Sequence, residues 1–128
     1  HKELSFHIFS KNINKKYTQD NIRFFPIDEV SFLHSLSTSY GVICNAGFQT
    51  SSEVMYLGKR LLVIPVGGQY EQFCNVAALN NIGIHSLDNL TNHSHALINS
   101  WLSVDPVKLD FKNNIEELLI QKINKILK

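Results

Sequence analysis

Cys44-Asn45-Ala46-Gly47-Phe48-Gln49-Thr50-Ser51-Ser52-Glu53 joins two kinds of local structure at a glycine. Before it runs an apolar stretch, Gly41 to Cys44, short and β-branched, which reads as a buried strand. After the tight Asn-Ala-Gly turn the chain reads as a helix. A strand that stops at a glycine turn and feeds a helix N-terminus makes a socket for an anion. The first helical N–H groups point at the ligand, and glycine lets it come close. Glu53, six residues after Gly47 and one turn inside that helix, is placed to hold a pair of sugar hydroxyls.

Outward from this turn the pattern repeats. Leu4–Ser10 and Asn21–Phe25 read as strands, with Lys11–Asp20 a polar loop between them and Pro26 ending the second. Asp28 is a predicted N-cap for a helix to about Ser37, with Val30, Leu33 and Leu36 on one side. The helix after the glycine turn is predicted over Thr50–Leu57, closed by Gly58. Leu61–Ile64 is an apolar strand of the fully buried type. A Pro65-Val66-Gly67-Gly68 turn leads to a helix over Tyr70–Asn81, ended by Gly83. Ile84–Ser86 is a further short strand, Leu90–Leu102 a helix, and Ile115–Leu127 an amphipathic helix with a single apolar stripe. Alternation of strand and helix from residue 21 onward predicts parallel βα units with right-handed crossovers. The expected fold is α/β, a Rossmann-like parallel sheet with helices on both faces.

The composition agrees with one compact domain. The chain has 128 residues, of which 44% are hydrophobic. No apolar run approaches the roughly 20 residues that span a bilayer. The two cysteines, Cys44 and Cys74, read as free buried thiols in a reducing compartment. Net charge is +1, but its distribution is uneven. Residues 24–107 carry two Lys/Arg against six Asp/Glu, whereas both flanking segments are basic. The glycine turn lies in the acidic part, so backbone dipoles must carry any phosphate binding. A basic nucleic-acid track is not expected.

Ligands of open parallel sheets bind outside the C-terminal ends of the strands. Three segments meet there: Phe24–Asp28, Asn45–Glu53 and Pro65–Asn75. Each has a plainer reading beside the functional one. Thr50-Ser51-Ser52-Glu53 also spells a capping box, with Thr50 the cap and Glu53 reaching back, and spacing alone favours that reading. Glu71, Gln72 and Asn75 share a face near a helix N-terminus and can grip sugar hydroxyls; alternatively Glu71 complements the helix dipole and Gln72 is solvated. Phe24 or Phe25 can stack on a base, but adjacent strand residues face opposite ways, so at most one does. The six histidines show no metal-ligand spacing, and no Walker loop, Cys-x-x-Cys or intact G-x-G-x-x-G is present.

The stretch NAGFQTSSEVMYLGKRLLVIPVGGQYEQFCNVAAL resembles the donor-binding signature of GT-B glycosyltransferases. It is similar to the C-terminal domains of plant and animal UDP-glycosyltransferases and of the bacterial peptidoglycan N-acetylglucosaminyltransferase group. The shared anchors are Gly47, Thr50, Glu53, Pro65, Glu71, Gln72 and Asn75, and the likeness covers residues 41–83 well. The resemblance implies a C-terminal half of a GT-B fold. It implies that Gly47, the following amides of Phe48 and Gln49, and the Thr50 hydroxyl take a diphosphate, and that Glu53 takes the ribose. Glu71, Gln72 and Asn75 would meet the transferred sugar. Phe24 falls in the base-contacting loop as a stacking ring, with Ile27 a main-chain contact. Asn45 stands where the plant enzymes have histidine, and Glu71 where aspartate is usual.

The expectation drawn from this is a truncated donor-binding domain over residues 1–128. It would belong to a glycosyltransferase that uses a nucleotide-diphosphate sugar, a UDP-sugar first of all, without metal or cofactor. The N-terminal acceptor domain, which in this fold usually carries the catalytic base, and the first strand of the C-terminal domain are expected elsewhere in the parent protein or on a partner chain. The isolated fragment is expected to be inactive. Alternatives are a nucleotide-sugar 2-epimerase domain, or a non-catalytic nucleotide-sugar-binding subunit or interaction module. The expected location is cytoplasmic or peripheral to the inner face of the membrane.

Overall fold

The computed structural model describes residues 2–91, 93–109, 120, 121 and 123–125. The helix predicted over residues 115–127 lies largely outside them. The elements run β1 (Phe6–Phe9), β2 (Tyr17–Gln19), β3 (Ile22–Phe25), α1 (Glu29–Thr38), β4 (Gly41–Cys44), α2 (Phe48–Tyr56), β5 (Arg60–Val63), α3 (Tyr70–Asn81), β6 (His85–Ser86) and α4 (His95–Ser103). The fold is α/β and Rossmann-like. Its strands form two three-stranded ladders, β1-β3-β2 and β4-β5-β6.

The second ladder is wholly parallel, with Gly41 opposite Arg60, Cys44 opposite Val63, and Leu62 opposite His85. Successive residues of β5 point to opposite faces. Leu61 and Val63 join Leu36, Ala46, Val54, Met55, Leu79 and Ile84 in the main core. Leu62 points the other way and is also fully buried, so both faces of β5 are covered. Helix α4 packs on β5. Its Trp101 ring leaves no room at Gly41, where an added Cβ would sit 2.8 Å from the indole. Nearby, the Arg60 guanidinium lies 4.0 Å from the Tyr40 ring centre and its Nε donates to the Val104 carbonyl at 2.7 Å. These contacts fasten the N-terminal end of the parallel ladder.

The first ladder departs from expectation. Part of the predicted Lys11–Asp20 loop is strand β2, antiparallel to β3. Asp20 reaches φ +52°, a left-handed position that aspartate tolerates better than most residues. That lets Tyr17 fold back on Phe24, the rings stacked at 4.5 Å. The sheet is therefore mixed at this edge.

Helix α1 spans the two ladders. Its N-cap is Asp28, as expected, with Oδ1 accepting from the Ser31 amide at 2.8 Å. The buried face differs from the predicted one: Val30 and Leu33 are exposed, while Phe32, Ser35 and Leu36 turn inward. The aromatic content of β1 is the reason. Phe9 stacks on Phe25 and meets Phe32 edge-on at 5.4 Å, and His7 Nδ1 sits 2.8 Å from Ser35 Oγ. Lys59 closes the other end of α1, donating from Nζ to the carbonyls of Ser37 and Ser39 at 2.8 and 2.9 Å. A cation at a helix C-terminus satisfies orphan carbonyls and opposes the macrodipole.

Helices α2 and α3 both end in Schellman motifs. Gly58 and Gly83 adopt φ +63° and +90°. In each, the glycine N–H and the next N–H reach back into the last turn, to Met55 and Val54 and to Asn80 and Leu79. Helix α4 begins at His95, later than the predicted Leu90.

These glycines set a test of the backbone account. An added Cβ at Gly83 would meet nothing closer than 3.8 Å, so Gly83→Ala isolates the conformational cost. It should destabilise the domain by about 1–2 kcal/mol in denaturant titration. Gly67→Ala, at an open position without positive φ, should leave the midpoint almost unchanged.

Candidate functional site

Because β4 and β5 are parallel neighbours, their C-terminal turns leave the sheet side by side. One turn is Asn45-Ala46-Gly47, entering α2; the other is Pro65 to Gln69, entering α3. Neither helix has a side-chain cap.

Helix α2 starts at Phe48, two residues before the predicted Thr50. Gly47 is its N-cap, at φ −69° and ψ 144°. The capping box is therefore absent: Thr50 is the third helical residue and Glu53 lies a further turn along. Just before the helix, Asn45 Oδ1 accepts from the Gly47 amide at 3.2 Å, a local side-chain-to-backbone turn that places Gly47 at the N-cap. A Cβ at Gly47 would stand 3.0 Å from that oxygen, so glycine fits this turn best. The amides of Phe48, Gln49 and Thr50 then form the open end of the helix, where no intrahelical acceptor exists. Phe48 and Gln49 are exposed, and Thr50 is half-buried. Glu53 is half-buried, and its Oε1 accepts from Gln49 Nε2 at 3.2 Å.

Helix α3 opens from a turn in which the Gln69 N–H meets the Val66 carbonyl at 3.3 Å and Gly68 takes φ +81°. Glu71 lies in its first turn and is exposed. Gln72, on the same helix, is buried. Its Oε1 accepts from the amides of Ala46 at 3.2 Å and Val66 at 2.9 Å, and its Nε2 donates to Gln69 Oε1 at 2.8 Å. Asn75 Nδ2 donates to the Ala46 carbonyl at 3.0 Å. The two turns are thus tied through side chains of α3. The sequence hinted at this polar cluster but not at its backbone partners, Val66 six positions before Gln72 and Ala46, which lies 26 positions from Gln72 and 29 from Asn75.

The third segment follows β3. Phe25 is core, and Phe24 faces the other way, one ring face taken by Tyr17. Ile27 is 66% exposed. Tyr17 was not singled out by sequence; the signal was its place just before the Asp20-Asn21 turn.

The thiols separate sharply. Cys74 is exposed rather than buried as expected. Cys44, at the mouth of the α2 turn, has its pKa pushed up to about 11 by burial, against a smaller opposing effect of the Ser51 hydroxyl.

A family model, glycosyl transferase family 1, matches residues 2–106 and so covers both ladders and helices α1 to α4. The chain belongs to glycosyl transferase family 1. No curated protein and no solved structure matches it. Membership assigns glycosyl transfer as the chemistry, with a nucleotide sugar in general as donor. Among the described residues no helix is long and apolar enough to cross a membrane.

Cys44 supplies a pH test. Alkylation followed by mass spectrometry should label Cys74 at pH 8.5 and leave Cys44 unmodified until the pH nears 11. A folded pKa above the ordinary 9.0 favours the neutral thiol in the fold. Its stabilising effect is intact below pH 9 and is lost as pH rises through about 11.

Proposed function

We propose that residues 1–128 form the donor-binding domain of a metal-independent GT-B glycosyltransferase, its C-terminal half. The observation that carries this reading is the pair of uncapped helix N-termini held side by side at the ends of β4 and β5. The amides of Phe48, Gln49 and Thr50, with Gly47 and the Thr50 hydroxyl, take the diphosphate of a UDP-sugar. Glu53 takes the ribose hydroxyls through the oxygen not used by Gln49. Phe24 and Ile27 meet the base. The sugar lies toward the start of α3, with Glu71 at its front and Gln72 and Asn75 behind. As the sugar leaves, charge builds on the diphosphate, and oriented amides stabilise it without reorganising.

The acceptor site and the catalytic base belong to another domain of the parent protein, or to a partner chain. Each ladder has an edge open to extension: among the described residues β1 pairs with β3 alone, and β4 with β5 alone. A further strand from the parent would pair there. The location in this reading is cytoplasmic or peripheral to the membrane's inner face.

Calorimetric titration with UDP, GDP and dTDP tests the reading. One of them, UDP first, should bind on the order of millimolar, near −4 kcal/mol. Glu53→Ala should lose that binding while keeping the fold. Equal binding by wild type and Glu53→Ala would contradict the ribose assignment, and sugar transfer by the isolated chain would contradict the division of labour.

A further inference from the structure

We propose that Gln72 is a positioning residue that sets the spacing between the two turns of the site, rather than a residue that grips the sugar. The proposal rests on the donor-site reading above. Two backbone N–H groups, of Ala46 and Val66, converge on one atom of its side chain. Only an acceptor satisfies both, so that atom is the carbonyl oxygen, and the two amides occupy both of its lone pairs. The remaining amide group points to Gln69, the N-cap residue of α3. At 8% exposure the side chain has little surface left for a ligand.

What it holds matters more than that it is held. Ala46 is fully buried, and both its backbone polar groups are fixed by α3: the N–H by Gln72 and the carbonyl by Asn75. Gly47, the N-cap of α2, is the next residue. Any shift of Ala46 therefore moves the amides of Phe48, Gln49 and Thr50. Val66, fixed through the same oxygen, leads into the turn that starts α3. One side-chain atom thus registers the phosphate end of the site against the sugar end. A buried polar atom shared by two donors is costly to remove, since both donors are left unpaired.

The test compares Gln72→Ala with Gln72→Glu. Glutamate offers an acceptor oxygen at the same reach but no amide N–H. A positioning role predicts that Gln72→Ala weakens UDP itself about tenfold or more, and UDP-N-acetylglucosamine by the same factor. Gln72→Glu should recover most of that loss. A sugar ligand would behave otherwise: Gln72→Ala would spare UDP and weaken only the UDP-sugar, which would overturn the proposal. Gln72→Met, similar in volume but with no acceptor, carries the same comparison if alanine leaves a cavity too large to fold.

A ligand-free readout separates this idea from the donor reading. Hydrogen exchange should show the Ala46 and Val66 amides deprotected in Gln72→Ala, with amides of the β4–β5 ladder still protected. Unchanged protection at both positions would overturn the proposal. If the wild type binds no nucleoside diphosphate, the donor reading fails, and the exchange result still decides the structural half of the proposal.

Discussion

Parallel pairing of β4 with β5, in the register Cys44 opposite Val63, sends both strands out of the same end of the sheet one strand spacing apart. Neighbouring strands lie about 4.8 Å apart, so the turns that follow β4 and β5 and enter α2 and α3 start side by side. Everything at the site depends on this. The glycine turn and the Gly67-Gly68 turn meet only because their strands do. Both helices begin at this edge of the sheet, and in the proposed reading their N-terminal dipoles favour an anion without a cationic side chain. The acidic balance of residues 24–107 is compatible with that arrangement, since dipoles rather than lysines supply the field.

The two ends of this ladder are built for different purposes. At the N-terminal end, Arg60, Tyr40, Gly41 and Trp101 interlock through a stacked cation, a carbonyl bond and a contact too close for any Cβ. At the C-terminal end the contacts are hydrogen bonds to turn backbone, and the rim is exposed: Phe48 at 78% and Tyr70 at 83%. A firmly packed base holding a polar, open rim is what a binding scaffold needs. Precision at the rim comes from Asn45, Gln72 and Asn75, each spending a side chain on a backbone group of its own or the neighbouring turn.

Much of this was legible in the sequence. Strands with short apolar runs, the Asp28 cap, and the glycines closing α2 and α3 are local signals, and local physics decides them. The failures were non-local. Strand β2 exists because Tyr17 finds Phe24 across the hairpin, which no run of polar residues announces. The inward face of α1 was misread because Phe9 of β1 selects Phe32 over Val30 and Leu33. The start of α2 differs from the capping-box reading because Asn45 closes the turn on the Gly47 amide and Gly47 takes the N-cap, a side-chain choice that spacing arguments cannot see. At the candidate site, the hydrogen-bond partners were not legible. Gln72 and Asn75 stood out as a polar pair on one face, yet the contact they share, the backbone of Ala46, lies on a turn far away in sequence.

The central claim is that backbone amides at the start of α2 receive the diphosphate. Amide chemical-shift mapping of the isotopically labelled chain during addition of UDP tests it most directly. The account predicts that the largest shifts fall on Phe48, Gln49 and Thr50, and that uridine without its phosphates leaves those three in place. Shifts centred elsewhere, with these amides unmoved at saturating UDP, would contradict it.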